Sequence, residues 1–486
     1  MKKLLTLLWI IIIGGAIFIG VKYFSPESSP TPNGIDYEEE GKPEETTLPT
    51  IEGEVPADTT KSYTEYIEEG DIYYKSEEYS SSINSYTQAS IAKPNSTEPL
   101  LRLGDAYLKD NDPKSAQAAF EKAQLIDENS TTAKVGVARS FINQRNIEIA
   151  KDILWEMSTQ DPLVKYYTAV MLILYKDFDG SKNLFTELVG TDEQAQIPEE
   201  IKRNSQVFLD YHETFSYFKG GEKLFLQTML AKGLTDVEEY DAAIPLLFDV
   251  INEKNNYRDA WIVLGYAYLN TDKVLDAIDA FTQAKALDEN KPETLFFLGL
   301  AYFANDEIEK AVFYIEQADN NGYEPKDQID LKLGDLYLLQ QEYSKSAVRY
   351  EDVIDVNKSN IGVFIRVVWL NIDKLGDPEK ALKYAYIALE EHPEEAMSYN
   401  LVGWSLTALE NYTEAKNYLA KAIEIDPELD AAALNLGWFY EKQGLITLAK
   451  EYYKRAYNLG QNNSIAGLAA TRYNNLQVNI SAPNSP

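Results

Sequence analysis

Cysteine is absent from the 486-residue chain, and histidine occurs only twice, at His212 and His392. Without thiols there is no disulfide, no thiolate nucleophile, no Cys-based zinc site and no lipid attached to a Cys. A metal or catalytic centre would have to be built mainly from carboxylates. Positive charge is also scarce. The chain holds 45 Lys and Arg against 78 Asp and Glu, a formal net charge of −33. Phosphate polyanions are neutralised by Lys and Arg, so nucleic acid is excluded as an expected partner. The same charge keeps a long chain soluble. No P-loop, no G-x-G-x-x-G after a strand, no G-x-S-x-G and no H-E-x-x-H is present. Asp110-Asn111-Asp112 and Asp177-Phe178-Asp179-Gly180 hint at calcium loops. Neither has the full set of later ligands, and both sit where a turn is expected. The expectation is a chain with no cofactor, no metal and no catalysis.

What is present begins with an apolar segment. Lys2 and Lys3 precede eighteen uncharged residues, Leu4 to Val21, and Lys22 closes the run. As a helix it would rise about 27 Å, close to the ~30 Å hydrocarbon core. Residues 1–24 are therefore read as a membrane anchor through 4–21, its partner the lipid bilayer. Gly14-Gly15-Ala16 could serve a signal peptidase, but the run continues past it and no A-x-A pattern follows. The lysine bias puts the N-terminus in the cytoplasm and the remainder outside. The alternatives are a cytoplasm-facing chain and a secreted one. Residues 25–60 hold six prolines, ten acids and one Lys. With few large apolar residues they form no core, and they read as an extended tether reaching at least ~30–35 Å.

From residue 63 the sequence is periodic. In a 34-residue frame, position 8 reads Gly70, Gly104, Ala138, Ala169, Ala231, Gly265, Gly299, Gly334, Trp369, Gly403 and Gly437. Trp369 breaks the small-residue rule. Twelve residues on, position 20 is Ser or Ala in every repeat, from Ser82 to Ala449. Small side chains at both positions let two antiparallel helices approach closely. Tyr and Phe recur at positions 11 and 24, the latter as Tyr86, Phe120, Phe281, Tyr350 and Tyr453. Pro94, Pro162, Pro393 and Pro427 fall at position 32, where Pro ends a second helix. The repeat spacings are 34, 34, 31, 62, 34, 34, 35, 35, 34 and 34. The 62-residue interval holds one extra amphipathic helix, Pro198 to Phe218, stopped by Gly220-Gly221. An unpaired helix breaks the alternation, so the array is expected to bend or divide there. The domain reading is 61–192 and 222–461 as repeat arrays, 193–221 as the insertion, 462–476 as a cap helix opened by Ser464, and 477–486 as a disordered tail.

The pattern resembles the tetratricopeptide repeat family, as in Trp261-x-x-Leu264-Gly265-x-x-Tyr268 with Ala277, Phe281 and Ala284. About eleven repeats follow it. The resemblance implies an all-α solenoid, a right-handed superhelix of helix-turn-helix units, that binds proteins or peptides. It also implies that positions 2, 5, 9 and 12 of each first helix line the concave groove. Those positions hold Ile262, Tyr266 and Leu269; Phe296, Leu300 and Phe303; Leu331 and Leu338; Arg366 and Leu370; Asn400 and Trp404; Leu434 and Trp438. Tyr266, Phe296, Phe303, Arg366, Asn400, Trp404 and Trp438 are the candidate binding residues. Trp404 and Trp438 share position 9 and are expected to stack. Asp71 and Asp105 occupy position 9 in the first repeats, so the carboxylate clamp of some family members is not supported. The functional expectation is a membrane-anchored scaffold of a bacterial cell envelope. A carbohydrate-handling module and the recruitment arm of an enzyme complex are the alternatives.

Overall fold

The structure, a computed structural model, describes residues 61–190, 197–218, 222–460 and 463–481. The expected anchor and tether, and Gly220-Gly221, lie outside them. Among the described residues no helix is long and apolar enough to cross a membrane.

The described residues form twenty-four α-helices and no strand. Eleven consecutive antiparallel pairs account for all but two of them. In the first compact unit, which ends at Asn321, the pairs are α1 Tyr63–Lys75 with α2 Tyr79–Ala92, α3 Glu98–Lys109 with α4 Pro113–Ile126, α5 Thr131–Asn143 with α6 Ile147–Trp155, and α7 Pro162–Leu174 with α8 Phe178–Val189. The single helix α9 Glu199–Ser216 follows. Then come α10 Lys223–Asp236 with α11 Tyr240–Glu253, α12 Arg258–Asn270 with α13 Val274–Leu287, and α14 Pro292–Ala304 with α15 Ile308–Asn320. The second unit starts at Gly322. It holds α16 Lys326–Leu339 with α17 Tyr343–Val356, α18 Ile361–Trp369 with α19 Pro378–Glu391, α20 Ala396–Ala408 with α21 Tyr412–Ile425, α22 Asp430–Lys442 with α23 Ile446–Gly460, and the closing helix α24 Ser464–Ser481.

Two local rules build each pair. The first is a notch and its filler. A Cβ on Gly104 would lie 2.5 Å from the Phe120 ring, and one on Gly265 2.7 Å from Phe281. Position 8 is small because the position-24 ring of the same repeat occupies the space a side chain would take. Both rings are fully buried. The second rule is the turn. Position 15, between the helices, is left-handed in every repeat: Glu77, Asn111, Arg145, Lys176, Glu238, Asp272, Asp306, Gln341, Gly376, Glu410 and Gly444. The next residue's N–H returns to the position-11 carbonyl, as in Asp112 to Tyr107 at 2.9 Å and Glu307 to Tyr302 at 2.9 Å. This six-to-one bond satisfies a carbonyl the helix end leaves open.

Three expectations need correction. Pro162 does not end a second helix: α6 stops early, at Trp155, and Pro162 opens α7 with Asp161 as N-cap. The short α6 accounts for the 31-residue interval. At α24 the cap is Asn463, whose Oδ1 accepts the Ala466 N–H at 3.0 Å, and the helix runs on to Ser481. The largest correction concerns Trp369. A π-helical turn over Leu370–Leu375 adds one residue before the left-handed Gly376. The closing N–H of Asp377 reaches Asn371, one residue further back than the equivalent bond elsewhere. The buried Val368 therefore takes the small position 8, and Trp369 moves to position 9. The register slips by one, and the small position of this repeat holds a valine instead of Gly or Ala.

The extra helix α9 lies within the first unit, between α8 and α10. Phe208 stacks on Phe185 with ring centroids 4.5 Å apart, and Ile201 and His212 are also buried. Phe218, at the end of the expected apolar face, is exposed.

Candidate functional site

The first helices of the repeats carry the candidate residues, and the two units use theirs differently. In the first unit much of this first-helix wall faces its own chain. Helix α11 touches α5 and α7, the first helices of repeats three and four. Lys109 pairs with Glu238. Arg145 lies 3.8 Å from Asp241 and Lys176 2.9 Å from Asp249. The Tyr167 hydroxyl donates to Glu239 at 2.9 Å. Three successive repeats thus each present a cation to an acid along one segment, 238–249. Asp241 is buried and is held from the other side by Lys273 at 3.1 Å.

The acids of the first repeats are engaged as well. Arg102 pairs with Asp71, which also accepts the Tyr86 hydroxyl at 2.7 Å. Arg139 donates to Asp105 at 2.6 Å, and its guanidinium lies 5.4 Å from the Tyr167 ring centre. Each acid meets a cation of the following repeat. Among the candidate residues here, Phe296 and Phe303 are buried and offer no surface. Tyr266 is half-buried between Tyr240 and Phe297, and burial pushes its hydroxyl up to about 12. Asp112 and Asp177, from the calcium-like sequences, accept the Ser115 and Gly180 N–H groups as helix caps.

In the second unit the wall is aromatic. Trp369, Trp404 and Trp438 are each the ninth residue of their helices α18, α20 and α22, and each is half-buried. Helices α18, α20, α22 and α24 touch one another in succession, so the three indoles form one column. Arg472, the ninth residue of α24, continues it and lies 5.8 Å from the Trp438 ring centre. Lys442 lies 5.5 Å from the same ring, and Lys374 lies 5.4 Å from Trp369 and 5.3 Å from Tyr343. Among the described residues no ring contact joins Trp404 to Trp438. The indoles occupy one column without stacking on each other.

The other two candidates anchor this wall. Arg366 lies 3.9 Å from Asp335 and 5.6 Å from the Tyr350 ring centre, and Tyr350 donates to Asp335 at 2.7 Å. This repeats the Arg102, Asp71 and Tyr86 arrangement of the first repeats. Asn400 is buried, accepts from the Asn435 amide at 3.0 Å and joins α20 to α22. Trp369 was missed as a wall residue because its place depends on the π-turn.

The family profile described as tetratricopeptide repeat matches residues 97–130, 259–291, 292–320, 396–429 and 431–463. Each match spans one helix pair, and these five pairs are tetratricopeptide repeats. It is similar to Protein bimA of Emericella nidulans, 21% identical over 256 residues, covering 53% of this chain and 30% of that protein. It is also similar to anaphase-promoting complex subunit 3 of Schizosaccharomyces pombe, 24% identical over 193 residues, covering 40% and 29%. The chain thus spans under a third of the length of these relatives. Among solved structures, a tetratricopeptide repeat protein from Parabacteroides merdae covers 52% of this chain and 100% of its own, at 16% identity and a TM-score of 0.36.

Proposed function

We propose that the chain is a non-catalytic scaffold that binds a protein or peptide partner on the first-helix wall of its second unit. The observation that carries this reading is the column Trp369, Trp404 and Trp438, three half-buried indoles at equivalent positions. Exposed indoles are costly, and Trp is enriched among residues that dominate binding energy. The ionic ties to 238–249 engage part of the first unit's wall and leave the second as the better candidate. The relative named as a subunit of the anaphase-promoting complex is, by that name, part of an assembly, which agrees with a scaffold. Replacing Trp404 by Ala and capturing partners from a detergent extract tests the reading. Capture should fall while helicity stays unchanged. Sugar binding that depends on the same indoles, with no protein captured, would favour the carbohydrate reading.

For location, residues 4–21 support a membrane tether, with the repeats on the extracytoplasmic side of the cell envelope. Protease added to intact spheroplasts should digest the repeats. Full protection would overturn the orientation.

A further inference from the structure

A solenoid repeat touches only the repeats next to it. Helix α11, the second helix of the fifth repeat, breaks this rule. It touches α5 and α7. Its ties reach the second, third and fourth repeats at Lys109, Arg145 and Lys176. The inserted helix α9, which interrupts the alternation of pairs, stands in the chain between those repeats and the fifth. The first unit therefore folds back on itself after α9, and segment 238–249 covers wall that the earlier repeats would otherwise present.

The covering face is unlike the other helix contacts of the chain. Asp241, Pro245 and Asp249 recur four residues apart and share one side of α11. Both acids pair with the wall, so this side faces it. Glu238 and Glu239 lie in the turn that leads into the helix. They add the tie to Lys109 and the bond from the Tyr167 hydroxyl at 2.9 Å. Paired helices meet through small side chains and buried rings, as at Gly104 and Phe120. Here the contact is made through four acids and a proline. Water reaches most of these charges. The Lys109 and Glu238 side chains are 31% and 32% exposed, and those of Lys176 and Asp249 39% and 48%. Such pairs are weak singly and are screened by salt. Asp241 is the buried exception, and Lys273 of the sixth repeat holds it at 3.1 Å from the other side. If α11 leaves the wall, Asp241 keeps a partner, so no charge is stranded.

We propose that segment 238–249 is a polar latch: it covers the first-helix wall of repeats two to four in cis, and it can leave that wall while every repeat stays folded. The closed state is autoinhibitory for this stretch of wall. Opening uncovers Lys109, Arg145 and Lys176, three cations in a chain of net charge −33. The latch belongs to the first unit and does not depend on the indole column of the second.

The absence of Cys allows labels at chosen sites of the full chain. Lys114 in the second repeat and Asn252 on α11 are both exposed. Lys114→Cys and Asn252→Cys take a spin label each, and pulsed electron resonance reads the distance between them. One short distance is expected at low salt. In about 1 M salt, where the screening length is ~3 Å, a second population should appear, longer by about 10 Å or more, the width of a helix. Glu238→Lys together with Asp249→Lys should show the longer distance already at low salt. Adding Lys109→Glu and Lys176→Glu restores the pairs with their charges exchanged and should bring back the short distance, a rescue that a misfolded variant would not give. Helicity by circular dichroism should be the same throughout. A single short distance at every salt concentration and in the charge-reversed variant overturns the proposal, because the contact is then fixed. Lengthening that comes with loss of helicity overturns it too, because the repeats then unfold instead of parting. So does failure of the exchanged pairs to restore the short distance while helicity is kept. If the exchanged variant loses helicity, the salt series on the labelled parent decides alone.

Discussion

At the scale of single residues, the fold rests on glycine notches filled by aromatic rings. Gly265 is the clearest case, since any side chain there meets Phe281. Gly265→Ala should destabilise by about 1–3 kcal/mol through overpacking, and Phe281→Ala by about 3–5 kcal/mol through the cavity it leaves. Thermal or urea unfolding checks both. If Gly265→Ala is neutral, the ring does not fill the notch. The left-handed turn residues give the opposite prediction. Glu410 adopts φ 60°, a conformation costing a non-glycine residue roughly 1–2 kcal/mol. Glycine avoids that strain but loses about 0.5–1 kcal/mol in backbone entropy. Glu410→Gly should therefore stabilise by about 0.5–1 kcal/mol, as Gly376 and Gly444 already do in two repeats. The small columns at positions 8 and 20 are legible in the sequence because they recur at constant spacing. The turn is not, because nine non-glycine residues of six types carry the same φ and leave no compositional mark.

At the scale of elements, two features depend on contacts that periodicity cannot show. One is the π-turn of α18, where one added residue changes the role of Trp369. The interval of 35 residues before it and 34 after it places the tryptophan at the small position, and only the hydrogen bond from Asp377 to Asn371 shows where the slip occurs. The other is helix α9, readable as an amphipathic insertion but not in what it buries. His212 packs among its neighbours with no hydrogen-bond partner for Nε2. Its pKa is lowered to about 4, chiefly by burial and then by Lys182. Below the ordinary value near 6.5 the unfolded chain takes up a proton that the folded chain resists. Stability should thus fall as pH drops from about 6.5 toward 4, by up to about 3 kcal/mol. His212→Leu should flatten that part of the stability–pH curve. An unchanged slope would mean that His212 is accessible to protons in the folded state.

On the scale of the whole molecule, each unit is better described by itself. In the first, segment 238–249 lies more than a hundred residues from Lys109 and still pairs with it, so no local sequence signal could have placed it. Exposed ion pairs contribute little singly, but the ties from Lys109, Arg145 and Lys176 act on α11 and the turn that leads into it. Glu238→Lys, Asp249→Lys and about 1 M salt, where the screening length is ~3 Å, should each speed amide exchange in α11. Protection unchanged by all three would show that apolar packing alone holds α11 in place. In the second unit, the indole column carries the proposed function. The most direct measurement compares wild type with Trp404→Ala for partner capture and for thermal melting. A groove role predicts weaker binding by roughly 2 kcal/mol or more, with helicity and melting temperature nearly unchanged. A loss of about 3–5 kcal/mol of stability, as for a core tryptophan, with partner binding retained would contradict it.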